Sequence, residues 1–173
     1  NSNSDDQARI DLRAAVSTLD AAEAAADPAR LSQALAEVSR CHSNVGALAE
    51  ADWYAKRGLA VARTIGAVDA SVDALCYLAE LALERAERLE YEDEARGASR
   101  LREAVRDHGF EAAQLARHTT DPQWEVTVLL RVADVFDCLG DHEDAIVLQT
   151  RALSLMTGHE AARQSGATSQ LSA

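Results

Sequence analysis

Cys41 and His42 are the adjacent pair in this 173-residue sequence that could bind a metal or form a reactive thiol. Neighbouring residues on a helix point about 100° apart, which is a poor arrangement for shared metal ligation. No second Cys/His pair lies near them in sequence. The pair is therefore interpreted as a core cysteine and a half-buried histidine, because free cysteines are commonly buried.

Two His-Glu pairs also resemble the start of a zinc-protease motif. His142-Glu143 and His159-Glu160 each lack the second histidine, since Ile146 and Arg163 occupy its place. The eight glycines are scattered and form no phosphate-binding loop, and no nucleophile elbow is present. The sequence thus predicts no catalytic residue, no cofactor and no metal, and we expect a protein that is not an enzyme.

Composition points to an all-α protein. Aromatic residues make up only 4% of the chain, and its apolar residues are largely Ala and Leu, which favour helix. The formal net charge of −12 argues against nucleic acid or an anionic membrane as the main ligand and favours a basic partner. Three cysteines without framework spacing indicate a reducing compartment, so we expect a cytoplasmic protein.

Residues 126–157 have the pattern of two helices joined by a tight turn. Apolar residues recur at helical spacing, Gly140 supplies a residue that tolerates positive φ, and acidic groups open the second helix. Two helices with so short a link pack antiparallel. The apolar positions are Val126, Leu129, Leu130, Val132, Ala133 and Phe136, followed by Ala145, Ile146, Leu148, Ala152, Leu153 and Leu155.

This hairpin resembles the tetratricopeptide repeat (TPR). The matching residues are Leu129, Val132, Ala133, Phe136, Gly140-Asp141, Ala145 and Ala152. Helices approach closely only where side chains are small, which explains the alanines. Leu129 replaces the usual Trp, and Gln149 stands where a second aromatic is common, so the chain resembles a divergent member. The resemblance implies a right-handed superhelical array of antiparallel helix pairs.

Two further copies of the hairpin precede it. The dipeptide Asp27-Pro28 recurs as Asp121-Pro122, an offset of 94 residues, with Asp suited to the N-cap and Pro to the first helical position. A third copy aligns at an offset of 54, pairing Leu75 with Leu129. The ordinary repeat is about 34 residues, so longer helices are expected. In this respect the chain resembles long-helixed repeats of bacterial signalling proteins.

These boundaries predict about seven helices. The predicted segments are a disordered tail over 1–4, a capping helix over 5–25, repeats over 28–65, 69–118 and 122–157, and a tail or partial capping helix over 158–173. The stretch 91–118 is predicted to hold one long helix, or two that divide near Gly109.

The resemblance also implies where a partner binds. In TPR proteins the first helices of the repeats line a concave groove, and the corresponding positions form the predicted groove of this chain. The predicted groove consists of Gln33, Arg40, Ser43, Asn44, Asp73, Glu80, Glu84, Thr127, Leu130, Asp134 and Asp137. All of its carboxylates fall in the second and third copies, so it either binds a cationic segment or merely keeps a concave surface soluble.

The predicted function is a non-catalytic protein-interaction module, a scaffold whose groove binds a protein or peptide, with a basic one favoured. The alternative is a sensor or regulatory domain of a larger signalling or transcription-regulating protein, which binds a peptide or a small effector. Neither nucleic acid nor a membrane is an expected partner. The sequence leaves the oligomeric state open.

Overall fold

The computed structural model describes the backbone of residues 2–170 and the side chains of residues 4–158. Over residues 2–170 the chain forms seven α-helices and no strand, which confirms the predicted all-α class and helix number. The helices are α1 (Ser2–Ala25), α2 (Pro28–Asn44), α3 (Leu48–Thr64), α4 (Val68–Tyr91), α5 (Ala95–Ala116), α6 (Pro122–Leu139) and α7 (His142–Gln170). None of the described helices combines the length and apolar character needed to cross a membrane.

The two Asp-Pro dipeptides begin helices as predicted. The Asp27 carboxylate accepts hydrogen bonds from two backbone N–H groups of the first turn of α2, at 3.1 and 3.2 Å. Asp121 does the same for α6, at 3.0 and 3.3 Å. These carboxylates satisfy donors that have no partner inside the helix, and proline follows where no donor is needed. At the other end α6 stops at Gly140, whose φ of 91° is left-handed.

The helices pack as successive neighbours. α2 with α3, α4 with α5 and α6 with α7 form antiparallel hairpins, and α1 packs on α2. Consecutive hairpins meet through α3 on α4 and α5 on α6. The first helices also touch one another, α2 with α4 and α4 with α6. Because they are adjacent, α2, α4 and α6 share one surface of the molecule, here called the first-helix surface.

The hydrophobic core follows this order. One cluster joins α1 to α2 around Leu19, Leu35 and Val38. A larger cluster extends from α3 to α7, and a third lies between α4, α5 and α6 around Val105. Alanines occupy much of the contact between paired helices, which brings their backbones close.

The helix ends differ from the sequence expectation in two places, at the start of α1 and along α7, and the alternative left open at Gly109 is decided. α1 begins at Ser2, so residues 2–4 are helical where a disordered tail is predicted. α5 passes Gly109 without a break, which decides for one long helix. α7 continues through Gly158 to Gln170, although a helix end is predicted there. Glycine costs helix stability but does not end a helix unless the chain turns, and Gly158 has no positive φ. The last three residues of the predicted tail lie outside the described part.

Candidate functional site

The predicted groove residues all lie on the helices that form the first-helix surface. Gln33, Arg40, Ser43 and Asn44 are on α2, Asp73, Glu80 and Glu84 on α4, and Thr127, Leu130, Asp134 and Asp137 on α6. Every one of them is exposed or half-buried. The repeat register therefore places these side chains on the accessible side of their helices.

One cation that the sequence reasoning missed links two of these helices. The Arg131 guanidinium of α6 donates to both carboxylate oxygens of Glu80, at 2.5 and 2.9 Å, and to Asp73 at 2.8 Å. Arg40 of α2 donates to the other Asp73 oxygen at 3.0 Å. The hydrogen bonds that Arg131 donates to Glu80 raise the pKa of Arg131 above its usual range. These four residues, Arg40, Asp73, Arg131 and Glu80, form a charge ladder across α2, α4 and α6.

The charge ladder changes the electrostatics expected of the groove. Five groove carboxylates suggest an open anionic strip, but Asp73 and Glu80 are neutralised by arginines. Glu84 pairs with a basic residue of its own helix, Arg88, at 3.1 Å. Asp137 accepts from the His142 ring at 2.9 Å. Among the described side chains, only Asp134 of these five carboxylates makes no ion pair or hydrogen bond.

A cleft of about 310 Å³ opens beside the charge ladder, between α2, α3 and α4. Small residues form its floor, namely Ala36, Ala55, Gly58, Ala70 and Ala74. Polar and aromatic side chains form its rim, namely Gln33, Glu37, Arg40, Asp73 and Tyr77. The mixture of a small apolar floor and a few polar rim groups is typical of ligand sites.

Local packing holds the walls of the cleft in place. The buried Ser39 hydroxyl donates to the Ala51 carbonyl of α3 at 2.6 Å. The Tyr77 hydroxyl of α4 donates to the Ser39 carbonyl at 3.3 Å. Arg40 lies over the Tyr77 ring, 5.8 Å from its centre, within reach of a cation–π contact. The cleft is thus preformed by contacts between three helices.

Some predicted groove residues lie away from the charge ladder. Asn44 sits at the C-terminal end of α2, where it lines a small depression with Asp5 and Arg9 of α1. Thr127 donates to the Gln123 carbonyl of its own helix at 3.1 Å. Leu130 is exposed on α6. The structure therefore brings together only part of the predicted set, namely Gln33, Arg40, Asp73 and Glu80.

Glu37, Tyr77 and Arg131 are the site residues that sequence reasoning missed. They occupy the same register position in the three copies, since they are separated by the same 40 and 54 residues. That position lies on the first-helix surface in each copy. The offsets contain this signal, but the groove positions taken from the TPR resemblance do not include it.

Cys41-His42 and His142-Glu143, two of the three chemically suggestive pairs, make structural contacts, and the third, His159-Glu160, lies outside the residues whose side chains are described. Cys41 is buried, and burial, followed by the nearby Glu37, raises the pKa of its thiol. His42 stacks on Tyr54 with ring centres 5.1 Å apart. His142 contacts Asp137, as described above. Within the described residues, no three His, Cys, Asp or Glu side chains form a group that could hold a metal ion.

The fold defines a class, an all-α array of successive helix pairs. No family model and no curated protein matches this sequence. Among solved structures, a chain titled "DHF58 filament" is similar at 22% identity and a TM-score of 0.47, covering 94% of this chain and 88% of that one. The structure of BtubC (BKLC) from P. vanneervenii is similar at 16% identity and a TM-score of 0.31, covering 78% and 66%. Neither similarity identifies a function.

Proposed function

We propose that this chain is a divergent TPR-like protein that binds a peptide segment of another protein and performs no catalysis. In this proposal the helix pairs form a right-handed superhelical array. The observation that carries it is the first-helix surface, where α2, α4 and α6 lie side by side and present a continuous row of polar side chains next to a preformed cleft. Polar side chains spread over three helices suit binding of an extended peptide better than they suit a single reaction centre, which needs groups that converge on one point.

The cleft supports recognition of an apolar side chain. Its floor consists of alanines and one glycine, so it offers an apolar surface against which a side chain of the peptide can pack. Around it, Gln33, Glu37 and Tyr77 offer hydrogen-bonding groups for a peptide backbone. A preformed site avoids part of the ordering cost that binding otherwise incurs.

Charge favours a segment with basic side chains. Glu37 on the cleft rim and Asp134 on α6 make no ion pair among the described side chains, and the whole chain carries a formal net charge of −12. The charge ladder itself is close to neutral, so it positions helices more than it attracts a ligand. We propose that the protein acts in the cytoplasm, where its three thiols would remain reduced.

Selection from a random peptide library tests this proposal. We expect enriched peptides to bind the wild-type protein, and to bind Ala36→Phe much more weakly because the larger side chain fills the cleft. Asp134→Lys should weaken peptides that carry basic residues, and Glu103→Lys on the exposed face of α5 is the matched charge control. Circular dichroism checks the fold of each variant. Peptides that bind all variants equally would place the site elsewhere.

The volume of the cleft also favours a second candidate, a regulatory domain that binds a small effector. About 310 Å³ lies at the lower end of the range of small-molecule sites, roughly 300–1,000 Å³. A metabolite screen by thermal shift would support this candidate if a compound stabilises the wild-type protein but not Ala36→Phe, while no peptide is enriched. Peptide enrichment without any such compound would decide for the first candidate.

A further inference from the structure

Each of the helices α1, α3, α5 and α7 carries a column of four residues on one face. The members of each column follow the spacing i, i+3, i+7, i+10, and the columns of successive helices in this series are offset by 40, 54 and 40 residues. The columns are Leu12, Ala15, Leu19 and Ala22 on α1; Asp52, Ala55, Leu59 and Ala62 on α3; Arg106, Gly109, Ala113 and Ala116 on α5; and Ile146, Gln149, Leu153 and Met156 on α7. The last set is called the terminal column.

In the first three columns the following helix covers the face. Leu19 of α1 packs in one cluster with α2 residues, including Leu35. Asp52 of α3 pairs with Arg85 of α4 at 3.2 Å. At Gly109 of α5, an added Cβ would lie 2.6 Å from the Phe136 ring of α6. Each column is thus a contact between one helix pair and the next.

The terminal column is open at three of its four positions, and the fourth, Gln149, is half-buried and donates to Asp137 of α6 at 3.4 Å. Leu19, Leu59 and Ala113 are each 5% exposed, whereas Leu153 at the same position of α7 is 61% exposed. Ile146 and Met156 are 59% and 44% exposed. On its other side α7 is packed normally, since Ala145 and Ala152 are buried. Among the described helices α7 packs against α6, and no described helix covers the terminal column.

The covering helices show what fits such a column. Each presents apolar residues at i, i+1, i+4 and i+7, all buried or half-buried. These are Ala34, Leu35, Val38 and Cys41 on α2; Ala74, Leu75, Leu78 and Leu81 on α4; and Val128, Leu129, Val132 and Val135 on α6. An amphipathic helix with this spacing lays its apolar face into the groove beside the column.

We propose that the terminal column binds an amphipathic α-helix of another protein, with apolar residues at the i, i+1, i+4, i+7 spacing. The bound helix extends the array by repeating the contact that α2, α4 and α6 make within the chain. The helices α2, α4 and α6 of a second copy are not free to cover the terminal column, because each is already packed between two neighbours. The site lies on α7 and is separate from the peptide-binding surface proposed above.

A peptide with the sequence of residues 27–45, which contains α2, provides a defined probe. A hydrocarbon staple between the exposed positions Gln33 and Glu37 keeps it helical without altering its apolar face. We expect saturable binding to the full chain by fluorescence anisotropy. Leu153→Glu should weaken binding at least about tenfold, because a buried carboxylate without a partner is costly.

Val147→Glu is the matched control. Val147 is 62% exposed on the same helix but lies outside the terminal column, so its replacement should leave the affinity unchanged. Both positions are exposed, and circular dichroism should show equal helicity in the two variants. Hydrogen exchange should show protection of residues 146–157 when the peptide binds. A second control peptide with Leu35→Asp and Val38→Asp should not bind.

Three results would overturn the proposal. The first is no saturable binding of the stapled peptide to the folded protein. The second is an equal loss of affinity in Leu153→Glu and Val147→Glu. The third is a wild-type dimer in sedimentation velocity that the Leu153→Glu substitution dissociates but the stapled peptide does not. That result would assign the terminal column to a second copy of the chain.

Discussion

Arg131 forms ion pairs across the first-helix surface that could not be predicted from the residues next to it in sequence. Its guanidinium is planar and presents several donors in a fixed fork, so it can bind Glu80 through two oxygens and still reach Asp73. The two acids lie 51 and 58 positions away along the chain. No local pattern reports such pairs, and the sequence therefore predicted free carboxylates where the structure has paired ones.

Replacing Arg131 should separate the contribution of the fork from that of the charge. Arg131→Met leaves Glu80 and Asp73 without this partner, and we expect the free energy of unfolding to fall by about 1 kcal/mol, because the pairs are partly screened by solvent. Arg131→Lys keeps the charge but loses the two-point contact, so it should recover only part of that loss. Urea titrations measure both. A lysine variant as stable as the wild type would contradict a role for the fork.

His108 should make stability depend on pH. Burial lowers its pKa below the usual 6.5, and Lys56 adds to the effect against the opposing charges of Asp52, Glu111 and Asp107. As pH falls, the unfolded chain therefore takes up the proton first. The stability that neutral His108 contributes is full above pH 6.5 and is lost as pH falls through the folded pKa.

His108→Gln tests that dependence, since glutamine does not titrate. Between about pH 7.5 and pH 5.5, the wild type should lose more unfolding free energy than the variant. Urea titrations at both pH values give the double difference, in which the other titrating groups cancel. Equal losses of unfolding free energy in the two proteins would show that the surroundings of His108 do not lower its pKa in the folded protein.

The three cysteines should differ in reactivity. Burial raises the pKa of Cys76 to about 12, and Cys41 is also buried with a raised pKa, whereas Cys138 is exposed. Because the thiolate is the reactive form, a thiol reagent at mildly alkaline pH should modify Cys138 rapidly and the other two only after unfolding. Mass spectrometry of the native protein checks the site, and Cys138→Ser should abolish the rapid phase. Rapid modification of Cys76 would contradict its burial.

At the scale of helices, the sequence predicted well which helices exist and where most of them begin and end. Asp-Pro dipeptides and left-handed glycines act locally, so the starts of α2 and α6 and the end of α6 follow from nearest neighbours. Gly109 and Gly158 are different. Whether a helical glycine ends, weakens or permits packing depends on what faces it, and the sequence near the glycine does not contain that information.

The two glycines should respond oppositely to alanine. At Gly109 a Cβ would lie 2.6 Å from the ring of Phe136, which is fully buried and cannot shift freely. Overpacking of this kind costs about 1–3 kcal/mol, which exceeds the gain of about 1 kcal/mol in helix propensity. At Gly158 nothing lies within 4 Å, so only the gain remains. In thermal unfolding, the Tm of Gly109→Ala should be lower than that of the wild type, and the Tm of Gly158→Ala should be equal to it or higher.

At the scale of the whole molecule, two offsets found in the sequence explain most of the architecture. They relate the three hairpins, and with α1 they also align the four columns. The number and order of helices were predictable because each unit repeats the same contacts. The charge ladder and the exposure of α7 were not predictable, because both depend on which helices meet in space.

An array held by neighbour contacts should also lose stability locally. The cluster of Leu19 joins α1 to α2 and is separate from the cluster that extends from α3 to α7. Leu19→Ala removes buried methyl groups at one end, with a cost of about 2–5 kcal/mol at that contact. In repeat arrays such a loss opens the end units first, since each unit is stabilised by its own neighbours. Hydrogen exchange by mass spectrometry should therefore accelerate in α1 and α2 while α6 retains its protection. Uniform acceleration of exchange in all helices would contradict this prediction. It would show that the seven helices unfold as a single cooperative unit.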